Sequence, residues 1–323
     1  MANRGLRVII NHWGPQFTAL YGHIFPESYL CVDTEYTGGN EAKDLIVEIG
    51  HTLVENRQVV DQFSVVLDWS NHPIVPDHWV RLALRRIELK MAESNRPWRV
   101  TYEVMKDEGI KPEKALQFYY QLFQTIKQRK LLFAAHHGYF ADERMLRGHF
   151  EGFLGKTFRF GENDLFDTGA IEKASVCLDS PDPEVVKKRK LFLPREGDTL
   201  EKYFRRVVGA RIKGVYWNLQ HCAKKYNIHE KFGLDANNHH TAGFDSLVVH
   251  YLMEEFRSRV FRSNAGESGL ESPAAFQRMF EQEMAKGRDT REAKERMDRA
   301  RAEFEDQGKP IRRPVRRRGQ RMV

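Results

Sequence analysis

Cysteine is scarce in this chain. The three present, Cys31, Cys177 and Cys222, are an odd number and form no CxxC pair. Neither a disulfide framework nor a zinc knuckle is indicated, and a reducing compartment fits. No apolar run approaches the roughly 20 residues that span a bilayer. The opening MANRGLRVIINHWG has too short an apolar stretch for a secretory leader. Internal repeats are missing as well. These absences set aside secreted scaffolds, zinc modules and membrane spans, and leave a soluble, intracellular, cytoplasmic protein as the expectation. With 323 residues, 41% of them apolar and 30% charged, the composition is globular and long enough for one large domain or two modest ones.

Acids are missing from the end of the chain. Between Lys309 and Val323 seven basic residues occur without an Asp or Glu, which accounts for the whole net charge of +7. A second stretch, 187–213, carries ten Lys or Arg against Glu196, Asp198 and Glu201. The remainder of the chain is therefore acidic. Two basic segments on an acidic body favour a polyanionic partner, although solvated, mobile segments would read the same way.

What is present is organised around Cys31-Val32-Asp33-Thr34-Glu35-Tyr36-Thr37-Gly38-Gly39. Residues two apart on a strand share a face, so Asp33 and Glu35 stand side by side where an apolar strand runs into a glycine turn. Adjacent carboxylates repel unless a proton or a cation sits between them. Residues 1–28 show no clear periodicity. Residues 45–50 and 51–67 read as strands with a hairpin turn at Glu55-Asn56-Arg57, giving a three-strand meander. A helix is predicted over 77–94, with Val80, Ala83, Leu84, Ile87 and Met91 on one face. Pro112 opens another, whose aromatic stripe (Tyr119, Tyr120, Phe123) reads as core packing.

Residues 131–135 form a short buried strand that leads through His136 and His137 to Asp142, at or near a helix start. Such a position suits an N-cap acid as well as a ligand. A further strand is expected within 158–167. Residues 179–215 interrupt the pattern; Asp198 and Glu201 suggest a capping box for a short helix closed by Gly209. Residues 215–226 are again helical. The run Asn237-Asn238-His239-His240-Thr241-Ala242-Gly243-Phe244-Asp245-Ser246 enters a strongly apolar helix. His240 and Asp245 are about 140° apart around a helix, so both face one site only if His240 lies in the preceding loop. Residues 264–308 read as a charged helical extension, and 309–323 as a basic, disordered tail.

Four carboxylates thus lie at strand ends or helix starts: Asp33, Glu35, Asp142 and Asp245. Oxygen ligands of this kind suit Mg²⁺ or Mn²⁺ and not zinc. Four acids around two divalent ions, about 3.5–4 Å apart, is an arrangement for in-line displacement at phosphorus. A histidine beside them, His240, can take the proton of an attacking water.

These residues resemble the DEDDh superfamily of 3′–5′ exonucleases, which includes bacterial replicative proofreading subunits, ribonuclease T and oligoribonuclease. The resemblance spans roughly residues 28–260. Asp33-Thr34-Glu35-Tyr36-Thr37-Gly38 is similar to the family's DxExTG segment, and Leu45-Ile46-Val47-Glu48-Ile49-Gly50 to the strand that follows. Residues 135–146 are similar to the motif around the third acid. His240-Thr241-Ala242-Gly243-Phe244-Asp245 keeps the His-x-Ala-x-x-Asp spacing, which selects His240 over His239 as the base. The chain departs from the pattern in carrying His137 where many members have Asn, with an extra residue before Asp142. Ser246 also replaces a small Ala, and the segment 179–215 is long.

The resemblance implies an α/β, RNase H-like fold: a mixed sheet of about five strands, three antiparallel and the rest parallel, with helices on both faces. With it the chain divides into a lead (1–28), an exonuclease domain (29–263, with a basic insert at about 179–215), a charged helical extension (264–308) and a basic tail (309–323), the region after 264 having no counterpart in the family. The activity implied is metal-dependent hydrolysis from a free 3′ end of DNA or RNA, releasing nucleoside 5′-monophosphates. Asp33, Glu35, Asp142 and Asp245 would bind two Mg²⁺ or Mn²⁺ ions, with His240 as general base. Thr34 and Tyr36 would contact the terminal nucleotide. Lys187, Lys188, Arg189, Lys190, Arg316, Arg317 and Arg318 would hold the strand by its phosphates, and a protein partner would dock through 264–323. The competing reading is a catalytically idle nucleic-acid-binding or scaffold protein that retains the fold.

Overall fold

Asp33 and its neighbours are placed by a sheet whose strands come from both halves of the chain. A computed structural model describes residues 4–264 apart from Asn95, Pro97 and Tyr216. The extension and tail beyond Asn264 lie outside the described residues. In chain order the elements are α1 (Arg4–Tyr21), β1 (Tyr29–Tyr36), β2 (Ile46–Glu55), β3 (Gln58–Val66), α2 (Asp77–Glu93), α3 (Tyr102–Glu108), α4 (Pro112–Gln128), β4 (Leu132–Ala135), α5 (Asp142–Leu154), β5 (Leu165–Asp167), α6 (Thr168–Asp179), α7 (Pro183–Lys187), α8 (Leu200–Gly209), α9 (Leu219–Lys225), α10 (Ile228–Phe232) and α11 (Ala242–Asn264).

The strand order is β3-β2-β1-β4-β5. β1, β2 and β3 pair antiparallel, and β4 and β5 add parallel to β1. This is the mixed, RNase H-like sheet expected above. The meander turn is tight: Asn56 and Arg57 both take positive φ. That pairing of left-handed residues matches the strand twist in a two-residue hairpin. Alternation sends Cys31, Ala134 and Phe166 to one face and Leu30, Phe133 and Leu165 to the other. The first face is covered by α11, α6 and α1, the second by α4 and α5. Phe123 of α4 meets Phe133 edge-on, and Phe17 of α1 packs on Phe166.

Several expectations are corrected here. Residues 1–28 hold α1, whose buried Leu6, Ile9, Ile10, Trp13 and Phe17 follow a helical period through Gly14 and Pro15. It packs on α6 as part of the same core. A Cβ on Gly5 would lie 2.5 Å from Ser175 O, which shows how closely α1 and α6 approach. The strand expected within 158–167 is confined to its last three residues. The short helix α8 is capped by Thr199, not Asp198: the Thr199 side chain accepts from Lys202 N, and Asp198 pairs with Arg206. Among the described residues no helix is long and apolar enough to cross a membrane.

Candidate active site

β1 outruns its parallel neighbour. Pairing with β4 ends at Cys31 opposite Ala134, while pairing with β2 continues to Tyr36 opposite Ile46. The overhanging end of β1 carries the two predicted acids. Asp33 and Glu35 share the face of Tyr29, whose hydroxyl lies 2.9 Å from His250 Nδ1 on α11. They therefore face the helix that carries Asp245.

The approach of α11 depends on a glycine. Gly50 of β2 is the cross-strand partner of Asp33, and a Cβ there would lie 2.2 Å from the Ala242 carbonyl carbon and 2.3 Å from Gly243 N. Only a residue without a side chain lets the helix start come down on the sheet. Polar contacts then fix it. Gln62 Nε2 donates to Gly243 O at 2.8 Å, and Ser246 Oγ donates to the same oxygen at 3.0 Å while lying 2.9 Å from Thr52 Oγ1. Ser246, where the resembling family has Ala, is thus fully buried and bonded.

His240 lies in the loop before α11, as the spacing required. Its backbone takes the left-handed region at φ +63°, and its N–H donates to Asp245 Oδ2 at 3.0 Å. Its Nδ1 is 4.0 Å from Glu35 Oε1. One ligand atom each from Glu35, His240 and Asp245 lie within 4.8 Å of one another. Asp33 and Asp142 stand outside this compact trio but share its field. Asp142, in the first turn of α5, reaches the strand from its other edge. Its Oδ1 accepts from Thr34 N at 3.0 Å and Thr34 Oγ1 at 2.6 Å. That satisfies the strand N–H left open where β4 stops.

The electrostatics are those of crowded acids. Burial pushes the Asp33 carboxyl well above its ordinary value, and Glu35, Asp245, Asp142 and Glu48 push it further. Glu35 is raised by burial and then by Asp245, Glu48 and Asp142. For Asp142 burial outweighs the two Thr34 donors and carries its carboxyl to about 7. Burial moves the His240 imidazole the other way, below its usual value, against the opposing pull of Asp245. His240 Nε2 is buried without a hydrogen-bond partner among the described residues. Clustered oxygens that repel one another, next to a neutral imidazole, are a donor set that fits a hard divalent cation.

Other predicted contact residues fall in different places. Thr34 is buried, and both its donors go to Asp142. Tyr36 is half-buried beside Asp142 and Asp33, and burial raises its phenol. The basic run begins beyond the C-terminal end of α6, away from the acids, which lie toward that helix's N-terminal end. There Lys187 pairs with Glu184, Lys188 donates to Arg211 O and Arg189 to Ser180 O, while Lys190 is exposed. Arg316, Arg317 and Arg318 lie outside the described residues.

Sequence reasoning missed four groups. Glu48 is fully buried directly across from Glu35. His239, passed over for His240, bonds Asp245 Oδ1 at 2.6 Å. Exposed Arg96 and Arg144 are the arginines whose charge reaches His240 and Tyr36 respectively. Glu48 sits within the segment that resembled the family's second strand, and only the cross-strand register reveals its role.

No known family's profile matches the chain, and no curated protein matches it. Solved structures do. Escherichia coli exonuclease I in complex with a dA16 oligonucleotide is 14% identical over 73% of this chain and 42% of its own, with a TM-score of 0.46. The same enzyme with a dT13 oligonucleotide is 14% identical over 74% of this chain and 43% of its own, at 0.45. An apo exonuclease I is 13% identical over 73% and 44%, at 0.44. The described fold thus spans less than half the length of the exonuclease I chains it is similar to.

Proposed function

We propose that this protein is a metal-dependent 3′–5′ exonuclease that hydrolyses the terminal phosphodiester of DNA or RNA and releases a nucleoside 5′-monophosphate. The observation that carries the reading is the convergence of Glu35, His240 and Asp245 within 4.8 Å, with Asp33 and Asp142 in the same field. These groups come from three distant parts of the sequence. Four mutually repelling carboxylates held in one place have no structural benefit of their own, which weighs against an idle scaffold.

Asp33, Glu35, Asp142 and Asp245 would hold Mg²⁺ or Mn²⁺. When bound, such ions make a water acidic enough to attack and neutralise charge developing on the phosphate. The chain's own part is to hold and to move a proton. His240 is kept neutral by burial, with Nδ1 turned toward Glu35, so its imidazole is ready to accept the proton of the attacking water. Its backbone bond to Asp245 ties the base to the acid cluster. Arg96 and Arg144 flank the site and are the groups that would meet the phosphates of the terminal nucleotides. The basic run at 187–190 would act on the strand farther from the cut.

The test is a gel assay with one single-stranded sequence, as DNA and as RNA, labelled at either end. It is run with Mg²⁺, with Mn²⁺ and with EDTA, for the wild type, Asp33→Ala and His240→Ala. Shortening from the 3′ end that needs the cation and disappears in both variants is the expected outcome. Tight binding of the oligonucleotide with no shortening in any cation would reject the enzyme in favour of the scaffold.

A further inference from the structure

Asp245 is restrained by more than its own helix. Its Oδ2 takes the backbone N–H of His240, and its Oδ1 lies 2.6 Å from His239 Nδ1. A carboxylate only accepts, so Nδ1 of His239 carries the proton. The other ring nitrogen, Nε2, lies 2.9 Å from Nε2 of His229 on α10. With His239 neutral, His229 donates and His239 accepts, and one chain of hydrogen bonds runs from His229 through His239 to the carboxylate. The His239 ring is 3% exposed. It is boxed edge-on by Phe244 at 5.2 Å and by the His229 ring at 4.9 Å. Both of its nitrogens are committed, one to Asp245 and the other to His229.

From this geometry we infer that His239, backed by His229, is a positioning residue that sets the affinity of Asp245 for the divalent cation. A carboxylate on an α-helical first turn can rotate about its side-chain bonds. Held at one oxygen by an immobile ring and at the other by a backbone N–H, it keeps one orientation toward Glu35 and His240. The ring N–H also draws charge from the carboxylate, which eases its repulsion from Glu35 before a cation arrives. Partners behind a ligand typically govern metal affinity in this way. His239 therefore acts through Asp245, and the proton of the attacking water stays with His240.

This inference rests on the metal reading above. The test is Mn²⁺ binding by isothermal titration calorimetry on the full chain, paired with a thermal melt of each variant. His239→Asn keeps a donor near the Nδ1 position, whereas His239→Gln preserves bulk and offers its amide at the Nε2 position instead. The Gln variant is expected to bind Mn²⁺ about 10–100-fold more weakly, and the Asn variant to stay within about threefold of wild type. His229→Phe, which removes the backing donor, is expected to weaken binding by about threefold. Equal affinity of wild type and His239→Gln, or equal weakening in Gln and Asn with unchanged melting, would overturn the positioning role. A wild type that takes up no Mn²⁺ would instead overturn the metal reading itself, and this inference with it.

Discussion

The acid cluster and the basic segment around α7 and α8 are opposites in charge and in how that charge is handled. In the basic segment Lys187 is paired with Glu184, Arg205 with Glu201 and Glu143, and Arg206 with Asp198. Lys188 and Arg189 donate to backbone carbonyls, while Lys190 stays exposed. At the end of β1 the acids crowd together, and Asp245 and Glu35 stand beside histidines, His239 and His240 respectively. A run of charge in a sequence is therefore a poor guide to charge available for a ligand. Exposed pairs a few residues apart neutralise it at little energetic gain. Charge of one sign brought together across the fold is what marks a site.

The sharpest way to break this contrast is to remove one acid. Asp33→Asn is expected to lower the cleavage rate by more than about a hundredfold, since a ligand should matter more than the partners behind it; a radiolabelled oligonucleotide assay measures it. The same substitution should raise the melting temperature of the metal-free protein, because it relieves repulsion. Loss of rate together with loss of stability would make Asp33 a structural residue.

Next in size is Gly50→Ala. Its Cβ would meet the backbone of Ala242 and Gly243, which cannot yield as a side-chain end can. A destabilisation of at least about 1–3 kcal/mol is expected from urea midpoints, with activity falling because the start of α11 carries the site.

A pH series sharpens the comparison. A carboxyl that titrates higher in the folded than in the unfolded chain contributes its stability below the unfolded value, near 4. That contribution is lost as pH rises through the folded value, about 7 for Asp142. The metal-free protein should therefore melt highest near pH 5 and lower toward pH 8, by roughly 2–4 °C for each kcal/mol lost. Mn²⁺ should restore stability at the upper end, where the acids are ionised. A melting temperature that climbs from pH 5 to 8 without metal would contradict the crowding.

The smallest effects concern the strand. Arg96→Ala and Arg144→Ala are each expected to weaken oligonucleotide binding and to flatten its log-log salt slope by about 0.7. Lys187→Ala and Lys188→Ala should change both by less, because these lysines are tied to Glu184 and to the Arg211 carbonyl, whereas the charges of Arg96 and Arg144 reach His240 and Tyr36. Fluorescence anisotropy across a salt series decides the order, and a larger effect at 187–188 would restore the basic run as the main contact.

Much of this site was legible in the sequence. The two-residue strand period put Asp33 and Glu35 on one face and an apolar helix start placed Asp245, but it took the family resemblance to join them into one candidate site. His240 was chosen over His239 by the His-x-Ala-x-x-Asp pattern of the resembling family. What escaped depended on register and on ring contacts. Glu48 faces Glu35 through the pairing of β1 with β2, which nothing local specifies. His239 looked like a redundant neighbour of His240, and its bond to Asp245 follows from the left-handed turn at His240. The helix α1 was missed because Gly14 and Pro15 sit inside its apolar period. The cap of α8 was misassigned by one residue because Asp198 and Thr199 are both good caps, and the choice was made by Arg206 eight residues on from Asp198.

The most direct test of the central claim is a crystal soaked in Mn²⁺ and measured at a wavelength where manganese scatters anomalously. The account requires an anomalous peak among Glu35, Asp245 and Asp33 that is absent from an Asp33→Asn crystal. An empty cluster at millimolar Mn²⁺, with the acids instead closed by a lysine or arginine side chain, would contradict it.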